Sequence, residues 1–197
     1  MIGYAMCGSF CTLSRSLEIM RSLVESGREV LPIMSPIVYS TDSRFTVADT
    51  FREQVRAVSG RDIVHTVEEA EPLGPRTPLE ALVIAPCTGN TMAKIANGIT
   101  DTSVTMAAKA HLRCDRPLLI ALASNDAMSQ NLPTLARLLE RKGVYLVPMR
   151  QDDPIHKPHS LVADFSLIGE CLDAAIASEQ RRPLFMYFCE GGPRCPP

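Results

Sequence analysis

Tryptophan is absent from the 197 residues, aromatic residues make up only 5%, and no two cysteines stand at C-x-x-C spacing. So few aromatic rings leave no stacking platform for single-stranded nucleic acid. An excess of one charge is missing too. A formal net charge of -2 excludes the basic face that nucleic acid or an anionic membrane would require. No apolar run approaches the roughly 20 residues of a membrane span. The start, Met1 to Cys7, has no basic segment of the kind that opens a signal peptide, and it reads as a first strand. Cys7 and Cys11, four apart, have no second pair and no matching histidine. The cysteines therefore read as reduced thiols of a cytoplasmic protein, and no metal site is expected.

Hydrophobic residues at 46% and charged residues at 21% suit one globular domain with a continuous core. Short apolar runs alternate with amphipathic stretches, the pattern of βαβ units around a parallel sheet. Strands are expected at Ile2 to Cys7, Glu29 to Met34, Ala81 to Ala85, Pro117 to Ala123 and Val144 to Pro148. The run Ala81-Leu82-Val83-Ile84-Ala85 is apolar throughout, as in a central strand covered on both faces. Helical spacing predicts helices over Leu13 to Ser26, Phe45 to Ser59, Thr88 to Asn97, Ser103 to His111, Leu132 to Arg141 and Leu161 to Ser178. Glu68 to Pro78 holds three prolines and a glycine, too many for a regular element. The expected architecture is a Rossmann-like three-layer α/β/α domain over residues 1–180 with a doubly wound parallel sheet. A flexible tail over 181–197 is expected to follow.

Ligands of such sheets bind beyond the carboxyl ends of the strands. Four segments there share a character: Gly8-Ser9-Phe10-Cys11-Thr12, Ser35-Pro36, Pro86-Cys87-Thr88-Gly89-Asn90-Thr91, and Ser124-Asn125-Asp126. Each offers small residues, hydroxyls or amides, and backbone N–H groups at a helix start, which suit a phosphorylated ligand. Singly, Ser9, Thr12, Thr88 and Asn125 are ordinary helix caps. Four on one rim point to a ligand. The first loop lacks G-x-G-x-x-G, and neither a Walker A sequence nor a G-x-S-x-G elbow occurs, which disfavours a stand-alone nicotinamide dehydrogenase.

The stretch Ala85-Pro86-Cys87-Thr88-Gly89-Asn90-Thr91, continuing through Ala93-Lys94-Ile95-Ala96-Asn97-Gly98 to Asp101, resembles the FMN-binding flavoproteins. These include phosphopantothenoylcysteine decarboxylase, lantibiotic cysteine decarboxylases and prenyl-flavin synthases. Ser124-Asn125-Asp126-Ala127-Met128 resembles the A-M-N-x-x-M segment of that family, with Ser in place of its first Met. Further stretches resemble one branch of it: Ala70-Glu71-Pro72-Leu73-Gly74-Pro75, Met106-Ala107-Ala108-Lys109-Ala110 and Gln151-Asp152-Asp153-Pro154. That branch takes part in oxidising dihydrodipicolinate to dipicolinate during sporulation. The resemblance implies an oxidoreductase subunit holding FMN, a homo-oligomer, and a nicotinamide-binding (NAD(P)) partner chain. By position it places Gly8, Ser9, Ser35, Pro86, Thr88, Asn90 and Thr91 around the cofactor, with Thr105, Ser124 and Asn125 nearer the flavin ring.

Two departures bear on chemistry. The decarboxylases carry a catalytic histidine where this chain has Glu71-Pro72-Leu73-Gly74-Pro75, and His65 lies somewhat earlier. Their cysteine-bearing flap is replaced by Gln151 to Pro158, so a flavin-dependent decarboxylase is disfavoured. In that loop Lys157, with Arg150 or Lys109, is a candidate cation for a pyridine dicarboxylate, and His156 a candidate proton carrier. A solvated loop explains the same residues equally well. Asn90, whose amide both donates and accepts, is the leading catalytic candidate. A non-catalytic scaffold that holds flavin or product is the alternative reading.

Overall fold

The computed structural model describes residues 1–186. Cys189 and Cys195 lie outside the described residues. A mixed, mostly parallel sheet is sandwiched between two helical layers. The first half contributes β1 (Ile2–Met6), α1 (Leu13–Glu25), β2 (Val30–Met34), α2 (Pro36–Ser40), α3 (Ala48–Ser59) and α4 (Val67–Ala70). The second contributes β3 (Ala81–Cys87), α5 (Gly89–Ala96), α6 (Ser103–Leu112), β4 (Leu118–Ser124), α7 (Leu132–Glu140), β5 (Val144–Leu146), β6 (Met149–Arg150), β7 (Leu161–Ala163) and α8 (Ile168–Ile176).

The strand order is β2-β1-β3-β4, with β5 parallel to the first part of β4 and β7 antiparallel to its end. Side chains alternate across the sheet and build two cores. Tyr4, Met6, Val83 and Ala121 pack under α1, α3 and α8, whereas Ala5, Cys7, Ile84 and Ile120 pack under α4 to α7. Every residue of β3 and β4 is buried, as strands covered on both faces require. The chain winds from β1 to β2 on one side and crosses back to β3 on the other. That reversal places the topological switch point at the carboxyl ends of β1 and β3.

Two expectations need correction. The stretch Leu161 to Ser178 is not one helix: Leu161–Ala163 pairs antiparallel with Ala123 and Ser124 of β4, and α8 starts only at Ile168. Apolar residues at 161–163 fill the edge that the three-residue β5 leaves open, so tertiary pairing overrides the helical pattern. Two short helices, α2 and α4, went unforeseen. Ser35-Pro36 starts α2 with proline at its first position, and Thr66 with Glu69 forms a capping box for α4. Of the tail expected over 181–197, residues 187–197 lie outside the described residues. Leu184 is buried, and the Leu184 carbonyl and Met186 N–H bond to the backbone of Met149.

Candidate functional site

Two adjoining hollows open at the switch point. One, about 390 Å³, is lined by Gly8, Ser35, Pro36, Ile37, Thr88, Asn90, Thr91, Lys94 and Thr102. The other, about 440 Å³, is lined by Gly8, Ser9, Thr88, Gly89, Asn90, Ala123, Ser124, Asn125 and Asp126. Both sizes fall in the range of small-molecule sites. Gly8, Thr88 and Asn90 border both, so the hollows form one continuous cleft over β1 and β3.

Local rules explain much of the wall. Thr88 caps α5, its hydroxyl accepting the N–H of Thr91 at 3.3 Å. Thr102 and Thr105 form a reciprocal capping box at the start of α6. The Ser103 hydroxyl donates to the Met34 carbonyl at 2.5 Å, which ties α6 to the end of β2 beside Ser35. At Gly8 a Cβ would come 2.9 Å from the Ile37 methyl, so only glycine lets the first loop lie against α2. At Gly89 a Cβ would meet the Ser124 hydroxyl, the Asn131 amide and the Asp126 carboxylate at 2.5, 2.8 and 2.9 Å.

One atom in the wall is left over. Ser35 is only 6% exposed, its hydroxyl has no hydrogen-bond partner among the described residues, and it makes no cap for the helix it precedes. A buried polar atom without a partner costs about 1–3 kcal/mol, which a ligand hydrogen bond would remove. The electrostatics divide the cleft. Lys94 lines the Ser35 hollow, ion-paired to Asp101 at 2.7 Å, and this partnership holds the Asp101 carboxyl below its ordinary range. Asp126 lines the other hollow and brings a carboxylate to the start of α5. A phosphate therefore fits the Ser35 side, among Ser35, Thr91 and Lys94, and a neutral or hydrogen-bonding ring fits the Asp126 side.

Of the residues expected around a cofactor, Gly8, Ser9, Ser35, Thr88, Asn90, Thr91, Ser124 and Asn125 line the cleft. Pro86 does not. It lies within β3 after a cis peptide bond, and its carbonyl accepts the N–H of Cys7. Thr105 does not either: at 1% exposure it is turned inward by the capping box, and Thr102 occupies the wall. Neither Lys157 nor His156 lines the cleft. The β6–β7 hairpin carries their loop past the end of β4, where Met128 N–H bonds to the His159 carbonyl. There Lys157 pairs with Asp152 at 2.9 Å, while His156, its side chain 79% exposed, pairs with Asp153. Asp152, and to a lesser degree the Cys11 sulfur of the first loop, raises the Lys157 pKa. Arg150 shares Asp164 with Arg15, and Lys109 stands in the last turn of α6. His65 stacks on Tyr39, ring centroids 3.8 Å apart, outside the cleft. Asp126 and Lys94 are the charged wall residues that the sequence reading left without a role. Their places after β4 and on the α5 face following Asn90 were the available signal.

The comparisons with known proteins agree with this geometry. The flavoprotein family pattern matches residues 1–165. The B subunit of dipicolinate synthase from Bacillus subtilis (strain 168) is 37% identical over 190 residues, covering 96% of this chain and 95% of that protein. The crystal structure of the corresponding B subunit from Bacillus halodurans C superposes with a TM-score of 0.87 at 38% identity, covering 94% of this chain and 95% of that one. The FMN-dependent cysteine decarboxylase SpaF shares the fold, with a TM-score of 0.67 at 22% identity over 90% of this chain and 95% of its own. The chain belongs to the flavoprotein family and, within it, to the group of dipicolinate synthase B subunits.

Proposed function

We propose that this chain is the flavin-holding B subunit of a dipicolinate synthase, taking part in the oxidation of dihydrodipicolinate to dipicolinate during sporulation. The observation that carries the reading is identity above one third, sustained over 96% of the chain, to a protein of that name. The orphaned Ser35 hydroxyl, in a hollow that Thr91 and Lys94 also line, supports FMN, the cofactor on which SpaF depends. Ser35, Thr91 and Lys94 would hold its phosphate, with Gly8, Ser9 and Thr88 along the ribityl chain. Asn90, which borders both hollows, would orient the ring. Bound flavin would supply two-electron acceptance. The protein's share is positioning, exclusion of water and proton handling. The partner is the A subunit of the synthase, a nicotinamide-binding chain that takes the hydride onward.

The test is to purify the chain alone and with this nicotinamide-binding partner, record the visible flavin spectrum, and follow dipicolinate by its ultraviolet absorption. A yellow protein whose Asn90→Ala variant loses dipicolinate formation supports the reading. Activity that survives both Asn90→Ala and removal of flavin leaves only the second reading, a flavin- or product-binding scaffold. That alternative draws on one observation: no histidine lines the cleft among the described residues.

A further inference from the structure

Asp126 is out of place in a purely anion-binding cleft. Among the described residues it is the one carboxylate lining the two hollows, and it shares its hollow with Ser9, Thr88, Asn90, Ser124 and Asn125. A dianionic substrate and a phosphorylated cofactor would both be repelled by it. Its structural duties do not require a charge. One oxygen accepts from the Ser124 hydroxyl at 2.5 Å and the other from the Asn131 side-chain amide at 2.8 Å. An asparagine could meet both, donating to Ser124 and accepting from Asn131. The turn itself is fixed by the Asp126 main-chain carbonyl, which accepts the N–H groups of Ser129 and Asn131.

We propose that Asp126 is the catalytic proton acceptor of this cleft, taking the proton that must leave when a dihydropyridine dicarboxylate becomes aromatic. The proposal rests on the functional reading above. In the ring N–H tautomer, a C–H bond breaks and leaves with its electron pair as hydride to an oxidised flavin or nicotinamide. The ring is then a pyridinium. Its N–H bond breaks next, the electron pair stays on nitrogen, and the proton passes to an Asp126 carboxylate oxygen. One hydride and one proton account for the two hydrogens and two electrons lost. A pyridinium N–H is about as acidic as a carboxylic acid, so a carboxylate matches it where an imidazole would be needlessly basic. This accounts for a cleft without histidine. Among the described residues the lining of this hollow holds no other charged side chain. On the elements around it stand Lys94 of α5, paired to Asp101, and His159, whose carbonyl takes the Met128 N–H.

The test uses the complex with the nicotinamide-binding partner and the variants Asp126→Asn and Asp126→Ala. With hydrogen bonding kept by asparagine, Asp126→Asn should retain its flavin spectrum and melting temperature but lose at least about 100-fold in kcat, the usual contribution of a positioned base. The acidic limb of its pH–rate profile should vanish, and formate should restore part of the rate to Asp126→Ala. Dipicolinate should bind Asp126→Asn at least about threefold more tightly, because a like charge is gone. A folded, flavin-bearing Asp126→Asn with an unchanged rate and pH profile overturns the assignment alone. So does an Asp126→Ala variant that formate does not help. A wild-type complex that forms no dipicolinate overturns the functional reading beneath it.

Discussion

The hydroxyl of Tyr4 meets Ser16 inside the α1 core, 3.1 Å from both its carbonyl and its hydroxyl, and Ser16 in turn donates to the Ala85 carbonyl. β1, α1 and the end of β3 are thereby joined through one buried chain of hydroxyls, directly beneath the switch point. Burial pushes the Tyr4 hydroxyl well above its usual range, with the Ser16 bond opposing the shift, so it acts as a neutral donor. Ser16→Ala leaves Tyr4 its carbonyl partner but removes the buried bond from Ser16 to the Ala85 oxygen. We expect a loss of about 1–3 kcal/mol, read from urea unfolding, and weaker flavin retention than Tyr4→Phe, which leaves the Ser16–Ala85 bond intact.

Ser35→Ala separates ligand binding from folding. Its hydroxyl has no partner among the described residues, so the flavin-free variant should be as stable as wild type or slightly more so. Affinity for FMN should fall about tenfold, the equivalent of one hydrogen bond of roughly 1.4 kcal/mol. Flavin fluorescence titration beside a thermal melt reads both. Loss of stability with unchanged affinity would remove Ser35 from the phosphate site.

Gly89→Ala should damage both properties together. The added methyl would press into Ser124, Asn131 and Asp126, separating α5 from the loop after β4. Overpacking of this kind costs about 1–3 kcal/mol. Thermal unfolding should show the loss, and flavin binding should weaken further than in Ser35→Ala.

His111 sets an acid limit on stability at the far end of the molecule. It is fully buried, Nε2 lies 2.9 Å from the Pro117 carbonyl, and Nδ1 has no partner among the described residues. Burial lowers its pKa from the ordinary 6.5, the Pro117 bond opposing and Arg116 adding slightly. Protons therefore bind the unfolded chain first. The folded state keeps its full advantage above about pH 6.5 and loses it as pH falls below that value toward the depressed folded pKa. Melting temperatures between pH 8 and pH 5 should fall in this window for the wild type and more gently for His111→Gln.

Thiol reactivity should follow burial. Burial pushes the Cys7 thiol up to about 11 despite hydrogen bonds with Thr91 and Thr88, and burial also holds the Cys87 thiol well above its usual range. Cys11, three residues beyond Gly8, is exposed. Brief alkylation followed by peptide mapping should label Cys11 and spare Cys7 and Cys87 until the protein is denatured.

The fold was largely legible because β1, β2, β3 and β4 are apolar runs long enough to name themselves, and α1, α3, α5, α6 and α7 keep helical spacing. The rim was legible for a related reason: Gly8, Ser9, Thr88 and Asn90 each follow a strand that the pattern identifies. What escaped was short or shared. Leu161–Ala163 is too brief to separate from the helix behind it, and its partner strand lies far back in the chain. Thr105 carries the residue type of a ligand contact, yet a capping box turns it inward.

Residue order alone determined the alternation of strands and helices, the run of hydroxyls and amides after the strands, and membership of a flavin-binding family. These are local or linear properties, set by periodicity and by which side chains neighbour one another in the chain. Tertiary structure decided which of those polar groups keep a free lone pair. Ser35 was left unpaired among the described residues, Asp126 was brought into the hollow that Asn90 lines, and His156 and Lys157 were drawn into pairs on a loop outside the cleft. Hydrogen-bond saturation depends on partners distant in sequence, and only packing brings those together.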